Sequence, residues 1–355
     1  MNPHIDWRNT FPKIVACILA APALIVPLLT DNPATLSTMI LSGIWAVVAM
    51  GFTLILWTGQ FSLGQAAFMA IGGYTSGILS ARLGWPFWPS FLTAGLVSGA
   101  VACAVGAVVL RVGGFYFSII TLALGEIVRI IAMQWQSVTR GTRGLVAYPP
   151  EAISLGFIKI DFEATPVPYY YFMIVLVAVT GLIYWRIGKS RLGGTFFSVA
   201  INPMLAEHQG IHLMKFRVMA FTVAGVFTGL AGSFYAHFLQ AVTPYMLGIP
   251  ESIQVMIMSI VGGVSSLVAG PIIGSVVLYN LSQFLQRAGS DLQTSGFVLE
   301  GIQPLVFGGA VVCILLFLPR GSGLIDLWTR FWKRVYKEVD FYELPEDLEE
   351  ETNTH

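Results

Sequence analysis

The chain has 355 residues, of which 55% are hydrophobic and only 11% are charged, and its mean hydropathy is +0.75. So few charges cannot coat a soluble globule of this size, which excludes the soluble function classes and indicates a polytopic membrane protein. Its 19 basic and 19 acidic residues cancel. No stretch is basic and aromatic enough to suggest binding to nucleic acid.

Apolar stretches of membrane-spanning length follow one another along the chain. They lie at residues 14–30, 36–57, 64–82, 88–110, 115–135, 168–185, 217–237, 267–286 and 297–318. We interpret the first as an uncleaved span. With a cytoplasmic N-terminus, nine crossings would place Arg320 and Arg330 outside, against the positive-inside rule. The shorter apolar run 252–264 supplies a tenth crossing, which returns these arginines to the cytoplasmic side. The sequence therefore predicts an all-α polytopic membrane protein with about ten transmembrane helices and both termini cytoplasmic.

The tenth candidate, residues 252–264, is too short to cross the hydrocarbon layer alone, because a helix of that length measures about 20 Å. One interpretation is a broken or re-entrant element shielded by its neighbours. The alternative is an amphipathic helix on the membrane surface. Glycines at helical spacing, such as Gly95 and Gly99 or Gly225 and Gly229, predict a tightly packed bundle around it.

One polar segment interrupts the apolar pattern between the sixth and seventh spans. Basic residues flank it, among them Lys189 and Lys215, and place it on the cytoplasmic side. Residues 198–210 are long enough for about three helical turns and end at Gly210, which favours a helix terminus. We expect a short cytoplasmic helix that docks on a soluble partner. His208 and His212 lack a third ligand nearby, so we expect no metal site.

Two other segments lie outside the spans. The loop 136–167 is predicted to be external and is too long for a simple connection, so it is either a docking surface or a tolerated insertion. Residues 321–355 follow the transmembrane domain, residues 1–320. They combine an aromatic and basic stretch, expected as an interfacial helix on membrane lipid, with an acidic tail.

Uncharged polar residues occur in the stretch GQFSLGQAAFMAIGGYTSG, residues 59–77, where the second span turns into the third. They line a solute path or form interhelical hydrogen bonds. Charges within the spans reduce to Glu126 and Arg129, which share a helix face and can pair. That pair either neutralises itself or takes part in solute passage. The chain has no phosphate-binding loop or catalytic motif, so we predict a non-enzyme whose energy comes from a separate ATPase.

Four ordered blocks resemble the permease subunits of branched-chain amino acid ABC importers. Residues 59–77 resemble that family's GQ-S-LG-AAF-GIG-Y block. Residues 113–129, GGFYFSIITLALGEIVR, resemble a segment of the longer, LivM-like permease type. Residues 193–217 resemble the coupling region, and residues 260–278, IVGGVSSLVAGPIIGSVVL, the VGG-GS--GP--GA block. Together the blocks cover most of residues 40–320.

The resemblance implies a type II importer-like permease bundle in the bacterial inner membrane. A second, LivH-like permease chain would complete the pore, two ATP-binding cassette subunits would drive it, and a periplasmic solute-binding protein would deliver the solute. ATP would bind to those partners, so this chain needs no cofactor. The coupling helix, about residues 198–210, would include Ser198, Asn202, Pro203, Ala206, Glu207 and Gly210. The translocation path would include Gln60, Ser62, Gln65, Tyr74, Thr121, Glu126 and Arg129.

The sequence departs from the family at two places. Gln65 stands where the family often has His, and the coupling region carries less charge around Asn202, which suggests an ATPase with a less polar groove. The resemblance implies branched-chain amino acids as the solute, with urea, short amides and aromatic or dicarboxylic acids as alternatives. A stand-alone secondary transporter is the rival hypothesis, but it requires ion-coupling groups that the spans lack.

Overall fold

The computed structural model describes residues 32–151, 153–155, 158–160, 162, 165–246, 248–294, 308–309 and 312. Helices make up most of them: α1 Pro33–Leu56, α2 Gln65–Leu83, α3 Phe87–Val109, α4 Phe115–Gln134, α5 Gln136–Thr139, α6 Val167–Lys189, α7 Arg191–Ile201, α8 Pro203–His208, α9 Leu213–Leu239, α10 Ile249–Gly262 and α11 Ala269–Thr294. Two 3₁₀ turns, Gly141–Arg143 and Pro244–Met246, and four short strands, β1 Leu145–Val146, β2 Ile153–Leu155, β3 Ile158–Ile160 and β4 Ala241–Val242, complete the description.

Among the described residues, five helices are long and apolar enough to cross a membrane: α1, α3, α4, α6 and α9. Two more, α2 and α11, coincide with predicted spans but are less apolar. The structure therefore confirms a helical membrane protein, while the count of ten crossings stays a prediction. The predicted spans 14–30 and 297–318, three residues of the latter excepted, and the predicted interfacial helix and tail, 321–355, lie outside the described residues.

Helix α1 forms the centre of the bundle. The Asn32 side chain caps it by accepting the amide of Ala34 at 3.1 Å, and Pro33 occupies the first turn, where a missing N–H costs nothing. Residues such as Ile40, Ile44 and Val47 are fully buried. Helices α6, α9, α10 and α11 pack around α1, and α9 also packs against α2 and α3.

Glycines bring these helices close together, as their spacing predicts. A Cβ atom at Gly232 of α9 would overlap the backbone carbonyl of Met69 on α2. Likewise, a Cβ at Gly225 would overlap the Cβ of Ala102 on α3. Since backbones in contact cannot make room, only glycine fits at the α2–α9 crossing, and association by close packing is the expected mode within a bilayer.

Helix α10 corresponds to the short tenth candidate. It has 14 residues, about 21 Å at the rise of an α-helix. Ser252, Val255 and Ser259 are buried, and the Ser259 hydroxyl donates to the Ala49 carbonyl of α1 at 3.1 Å. Burial of this face against α1 and α11 agrees with an element shielded by its neighbours.

The predicted external loop is tied to the bundle at two points. Strand β1 pairs antiparallel with β4, which follows α9, and the Ala147 amide donates to the Gln240 carbonyl at 3.2 Å. His237 on α9 is fully buried. Its Nδ1 donates to the Tyr148 carbonyl, so Nε2 accepts from the Ser76 hydroxyl at 2.6 Å. We call this face of the molecule the β1–β4 end.

The segment predicted as one helix over residues 198–210 consists of two helices, so that prediction is wrong in detail. Helix α7 ends at Ile201, Asn202 is extended (φ −144°, ψ 91°), and α8 starts at Pro203. The break follows from proline chemistry, because a residue before proline avoids the helical region. Gly210, at φ 79°, does end the second helix as predicted, with the Ile211 amide donating to the Ala206 carbonyl at 3.1 Å.

Candidate translocation path and coupling surface

Residues 57–64, which we call the linker, connect α1 to α2 without forming a helix. Gly59 has φ 75°, a left-handed conformation that suits glycine. The linker then runs back along α1, where the ring of Phe61 packs edge-on against Phe52 at 5.4 Å. Gln60 and Ser62 are 2% and 1% exposed. Irregular backbone buried in this way among membrane helices is tolerated only when its polar groups find partners.

Helix α4 supplies those partners. The Leu63 amide donates to the Thr121 hydroxyl at 3.0 Å, and the Ser118 hydroxyl donates to the Phe61 carbonyl at 2.6 Å. Thr121 itself is fully buried and donates to the Ser118 carbonyl at 3.0 Å. Two hydroxyl side chains one turn apart on α4 therefore hold the linker inside the bundle.

The start of α2 is held by two further helices. The Thr228 hydroxyl of α9 donates to Gln65 Oε1 at 2.9 Å, and the Ala66 amide donates to the Ser252 hydroxyl of α10 at 3.2 Å. The first amides of a helix have no partner within the helix, so Ser252 satisfies a group that would otherwise be orphaned. We call Gln60, Ser62, Gln65, Thr121, Thr228 and Ser252 the polar cluster.

Two atoms of the polar cluster are left without a hydrogen bond among the described residues. These are Gln60 Oε1 and Gln65 Nε2, and both are buried. Leaving a buried polar atom unpaired costs about 1–3 kcal/mol, so native proteins rarely do it without a reason. One acceptor on the linker and one donor at the start of α2 therefore remain available for water or a polar solute.

The structure brings four of the seven predicted path residues together and leaves three apart. Thr121 and Gln65 bond to the linker and to α9, and Gln60 and Ser62 are buried in the linker beside them. Tyr74 is nine residues beyond Gln65, about 14 Å along α2, and its buried hydroxyl has no partner among the described residues. The remaining two residues lie further along α4.

Glu126 and Arg129 form the predicted ion pair. Arg129 Nε donates to Glu126 Oε2 at 2.9 Å, and a second guanidinium nitrogen contacts Glu126 Oε1. The Arg129 and Glu126 side chains are 25% and 30% exposed. A Cβ at Gly248 would lie 3.7 Å from Arg129 Cδ, so the pair sits beside the start of α10.

The other end of the linker contacts α7. Trp57 packs against Phe197 with ring centroids 6.2 Å apart, and its indole N–H donates to the Val264 carbonyl at 2.8 Å. A Cβ at Gly59 would lie 3.0 Å from the Ala200 Cα. The linker therefore touches α7 at one end and the polar cluster at the other.

Helices α7 and α8 present an exposed apolar face, which we call the α7–α8 surface. It consists of Phe197, Ile201, Met204 and Leu205, which are 55%, 68%, 72% and 55% exposed. The opposite face of α7, including Phe196 and Val199, is buried. An exposed cluster of large apolar side chains in an otherwise polar segment marks a protein–protein or membrane interaction site.

Most of the predicted coupling residues lie at this surface. Ser198, Asn202, Pro203, Glu207 and Gly210 are exposed, whereas Ala206 is 2% exposed and packs on the bundle, so it is not accessible to a partner. Among the described residues, no group of three potential metal ligands occurs. His208 ends α8 and His212 precedes α9, so the two histidines do not share a helix.

Sequence reasoning missed several members of these two sites. The hydroxyls of Ser118, Thr228 and Ser252 gave no signal, because Ser and Thr within apolar helices usually bond to their own backbone. Met204 and Leu205 did give a signal in the sequence, because large apolar residues within a polar segment are typical of a docking surface.

Comparisons with known proteins agree with this architecture. Residues 34–317 match the family described as branched-chain amino acid transport system / permease component. The chain is 26% identical over 339 residues to the high-affinity branched-chain amino acid transport system permease protein LivM of Salmonella typhimurium, covering 90% of this chain and 76% of that protein.

Two further relatives carry other names. The galactofuranose transporter permease protein YtfT of Escherichia coli is 22% identical over 281 residues, covering 76% of this chain and 75% of that protein. The autoinducer 2 import system permease protein LsrC of Yersinia pestis is 26% identical over 301 residues and 78% of each chain. No solved structure matches the chain. Since the family model spans most of its length, the chain belongs to the branched-chain amino acid transport system permease family and is a permease subunit of an ABC importer.

Proposed function

We propose that this chain forms one half of the pore of an ATP-driven importer for branched-chain amino acids, paired with a second, LivH-like permease chain. The proposed mechanism rests on the linker, because it joins the exposed α7–α8 surface to the buried polar cluster. The solute is inferred from the family and from the LivM relatives, whose names state branched-chain amino acid transport.

We place the α7–α8 surface in the cytoplasm and the β1–β4 end outside, with ten crossings and both termini cytoplasmic. Arg186, Lys189 and Arg191 stand where α6 meets α7, as the positive-inside rule requires. The Lys189 ammonium lies 4.4 Å from the ring centroid of Trp185. Aromatic and basic residues adjoining in this way are typical of a membrane–water interface. The β1–β4 end would then meet the periplasmic solute-binding protein.

The α7–α8 surface would dock on one of two cytoplasmic ATP-binding cassette subunits. Ser198, Asn202, Pro203, Glu207 and Gly210 surround its apolar residues and would form the contact, while buried Ala206 would support α8 from beneath. An apolar surface suits a partner with an apolar groove, in line with the low charge of this segment. ATP would be bound by that partner and not by this chain.

Coupling would run through the linker. A displacement of α7 by the ATPase acts on Trp57 and Gly59, and the linker transmits it to Leu63, whose amide bonds to Thr121. Because packed helices switch between discrete arrangements instead of deforming smoothly, the result would be two states. The polar cluster would open to one side of the membrane in each.

Helix α4 would face the second permease chain. Its exposed apolar residues include Phe115, Tyr116 and Ile127, at 77%, 70% and 52% exposure. The partly exposed Glu126–Arg129 pair is on the same helix, and charges facing lipid are costly. A second permease chain would cover the ion pair and enclose the path, with Gln60, Gln65 and Tyr74 on this chain's side.

Uptake in cells tests this function. Labelled leucine, valine, phenylalanine, urea, a short amide and a dicarboxylic acid are supplied to cells with the gene deleted and to the same cells with the gene restored. We expect leucine and valine uptake to fall in the deletion and return on restoration. Loss of a different solute would reassign the cargo, and no change for any solute would contradict the importer assignment.

A further inference from the structure

Residues 263–268, which we call the α10–α11 segment, connect α10 to α11 without forming a helix. They lie within residues 260–278, one of the four blocks that resemble the permease family. Gly263 has φ 112°, and the Ala269 amide, at the start of α11, donates to the Ser266 hydroxyl at 3.1 Å. The side chain of Leu267 is 4% exposed, so the segment is packed into the bundle.

The α10–α11 segment and the linker share a local pattern. Each follows a helix of the bundle and contains one glycine with a positive φ, Gly59 or Gly263, and the next helix begins at the sixth residue after that glycine. Ser62 and Ser266 each come three residues after these glycines, and each is followed by a leucine. The chain therefore turns back into the bundle twice in a similar way.

The two non-helical segments meet at Trp57. Its indole N–H donates to the Val264 carbonyl at 2.8 Å, and its ring packs against Phe197 of α7. A Cβ atom at Gly188, near the end of α6, would lie 3.1 Å from a methyl carbon of Leu267 and 3.8 Å from the Trp57 ring. The linker, the α10–α11 segment, α6 and α7 therefore share one contact point.

Helix α10 connects this contact point to the polar cluster. Ser252 lies eleven residues before Gly263, about 16 Å along the helix, and its hydroxyl accepts the Ala66 amide of α2 at 3.2 Å. Helix α10 is packed backbone to backbone against α11, since a Cβ at Gly262 would overlap the Gly270 carbonyl. The first turn of α2 is therefore reached from Trp57 in two ways, along the linker and along α10.

We propose that Trp57 is a positioning residue for transport, whose indole hydrogen bond provides a second route from the α7–α8 surface to α2, through the α10–α11 segment and α10. The inference rests on the proposed function and extends it, because the linker by itself acts on Gln65 and not on Ser252. If the linker alone moved, the buried Ala66 amide would lose its acceptor, which is costly. Trp57 makes the two routes move together, so that this hydrogen bond is kept.

The role of the hydrogen bond can be separated from that of the ring. In Trp57→Phe a phenyl ring can still contact Phe197, but it has no N–H to donate to the Val264 carbonyl. Trp185→Phe is the matched control, since Trp185 on α6 is 39% exposed and contacts the Lys189 ammonium through its ring. Both variants remove one indole N–H, and only the first removes it from the contact point.

The readout is the amount of labelled leucine accumulated per ATP hydrolysed by the complete importer in proteoliposomes, with its binding protein supplied. We expect Trp57→Phe to lower this ratio about fivefold or more, as the loss of coupling between sites does. Thermal stability and copurification of the ATPase should stay at the wild-type level, and Trp185→Phe should keep the wild-type ratio.

Two results would overturn the role of Trp57 and leave the proposed function intact. One is a wild-type ratio in Trp57→Phe. The other is a loss of stability or of copurified ATPase with the ratio unchanged, which would show a structural role alone. Accumulation of leucine by the wild-type importer without ATP would contradict the proposed function and this role together.

A double-mutant cycle tests the second route itself. Ser252→Ala removes the acceptor at the far end of that route, so Trp57→Phe and Ser252→Ala together should lower the ratio no further than the more severe single variant. Ser98→Ala is the control, because the Ser98 hydroxyl of α3 donates to the Phe68 carbonyl of α2 at 3.1 Å, away from the route. Its fold-loss should multiply with that of Trp57→Phe, as for independent sites. If the losses of Trp57→Phe and Ser252→Ala multiplied as well, the second route would be wrong.

Discussion

At the scale of single residues, Thr121 shows how one hydroxyl fixes an irregular segment. It is fully buried on α4, accepts the Leu63 amide of the linker and donates to its own helix. A valine side chain would have the same shape but could not accept the hydrogen bond from the Leu63 amide. The hydrogen bond, and not the volume of the side chain, is therefore what joins α4 to the linker.

The first prediction follows from that contact. Thr121→Val should destabilise the folded chain by about 1–3 kcal/mol, because the Leu63 amide would be buried without an acceptor, and should lower leucine uptake. Thr222→Val is the control, since the Thr222 hydroxyl bonds only to the Val218 carbonyl of its own helix at 2.8 Å. Thermal denaturation of the purified chain in detergent measures both. Equal stability of the two variants would contradict the role of Thr121.

The second prediction concerns the α2–α9 crossing. Gly232→Ala should destabilise the chain by about 1–3 kcal/mol, as overpacking does, because the added Cβ would overlap the Met69 backbone. Gly125→Ala is the matched control, since a Cβ at Gly125 on α4 would have no atom within 4 Å. The same thermal assay compares them. If Gly232→Ala were as stable as Gly125→Ala, the close approach of α2 and α9 would be wrong.

Sequence reasoning at this scale succeeded where polar residues stood out locally. Gln60, Ser62 and Gln65 were conspicuous in an apolar context, and all three are buried in the structure. Thr228 and Ser252 come from distant parts of the chain, and no local pattern distinguishes a hydroxyl that bonds across helices from one that bonds within its own. Tyr74 was grouped with the cluster by sequence proximity, but the rise of α2 carries it away.

At the scale of elements, the helices of the membrane domain were predictable and their ends were less so. The lengths of the apolar runs located α1 and α9. The run at α10 was recognised as an irregular element because it is too short to span a bilayer. The division between α7 and α8 was missed although Pro203 was visible, since the segment was long enough for one helix. The pairing of β1 with β4 joins residues nearly 100 positions apart, which no local signal indicates.

The third prediction tests the α7–α8 surface. Met204→Asp should abolish or strongly reduce copurification of the ATPase subunit, because a desolvated carboxylate in an apolar interface is costly. Met204 is 72% exposed, so the chain itself should fold normally. Ser190→Asp adds the same charge nearby as the control, and aspartate is an equally good residue at the helix start that Ser190 occupies. Full ATPase recovery with Met204→Asp would place the docking site elsewhere.

At the scale of the whole molecule, the linker gives the two sites a physical connection. Trp57 and Gly59 contact α7, and Leu63 and the adjoining Gln65 are held by α4 and α9. In the proposed mechanism, a change in the position of α7 would reach the polar cluster through only a few residues of chain. The family resemblance implies that coupling occurs, and these contacts offer a path by which it would act in this chain.

The most direct test of the ATP-driven importer is leucine uptake into proteoliposomes that contain both permease chains, with and without the ATPase subunits. With the binding protein supplied and ATP on the side of the α7–α8 surface, we expect leucine to accumulate only when the ATPase is present. We also expect Met204→Asp to abolish this accumulation. Accumulation without the ATPase, driven by an ion gradient alone, would contradict an ATP-driven importer and identify a secondary transporter.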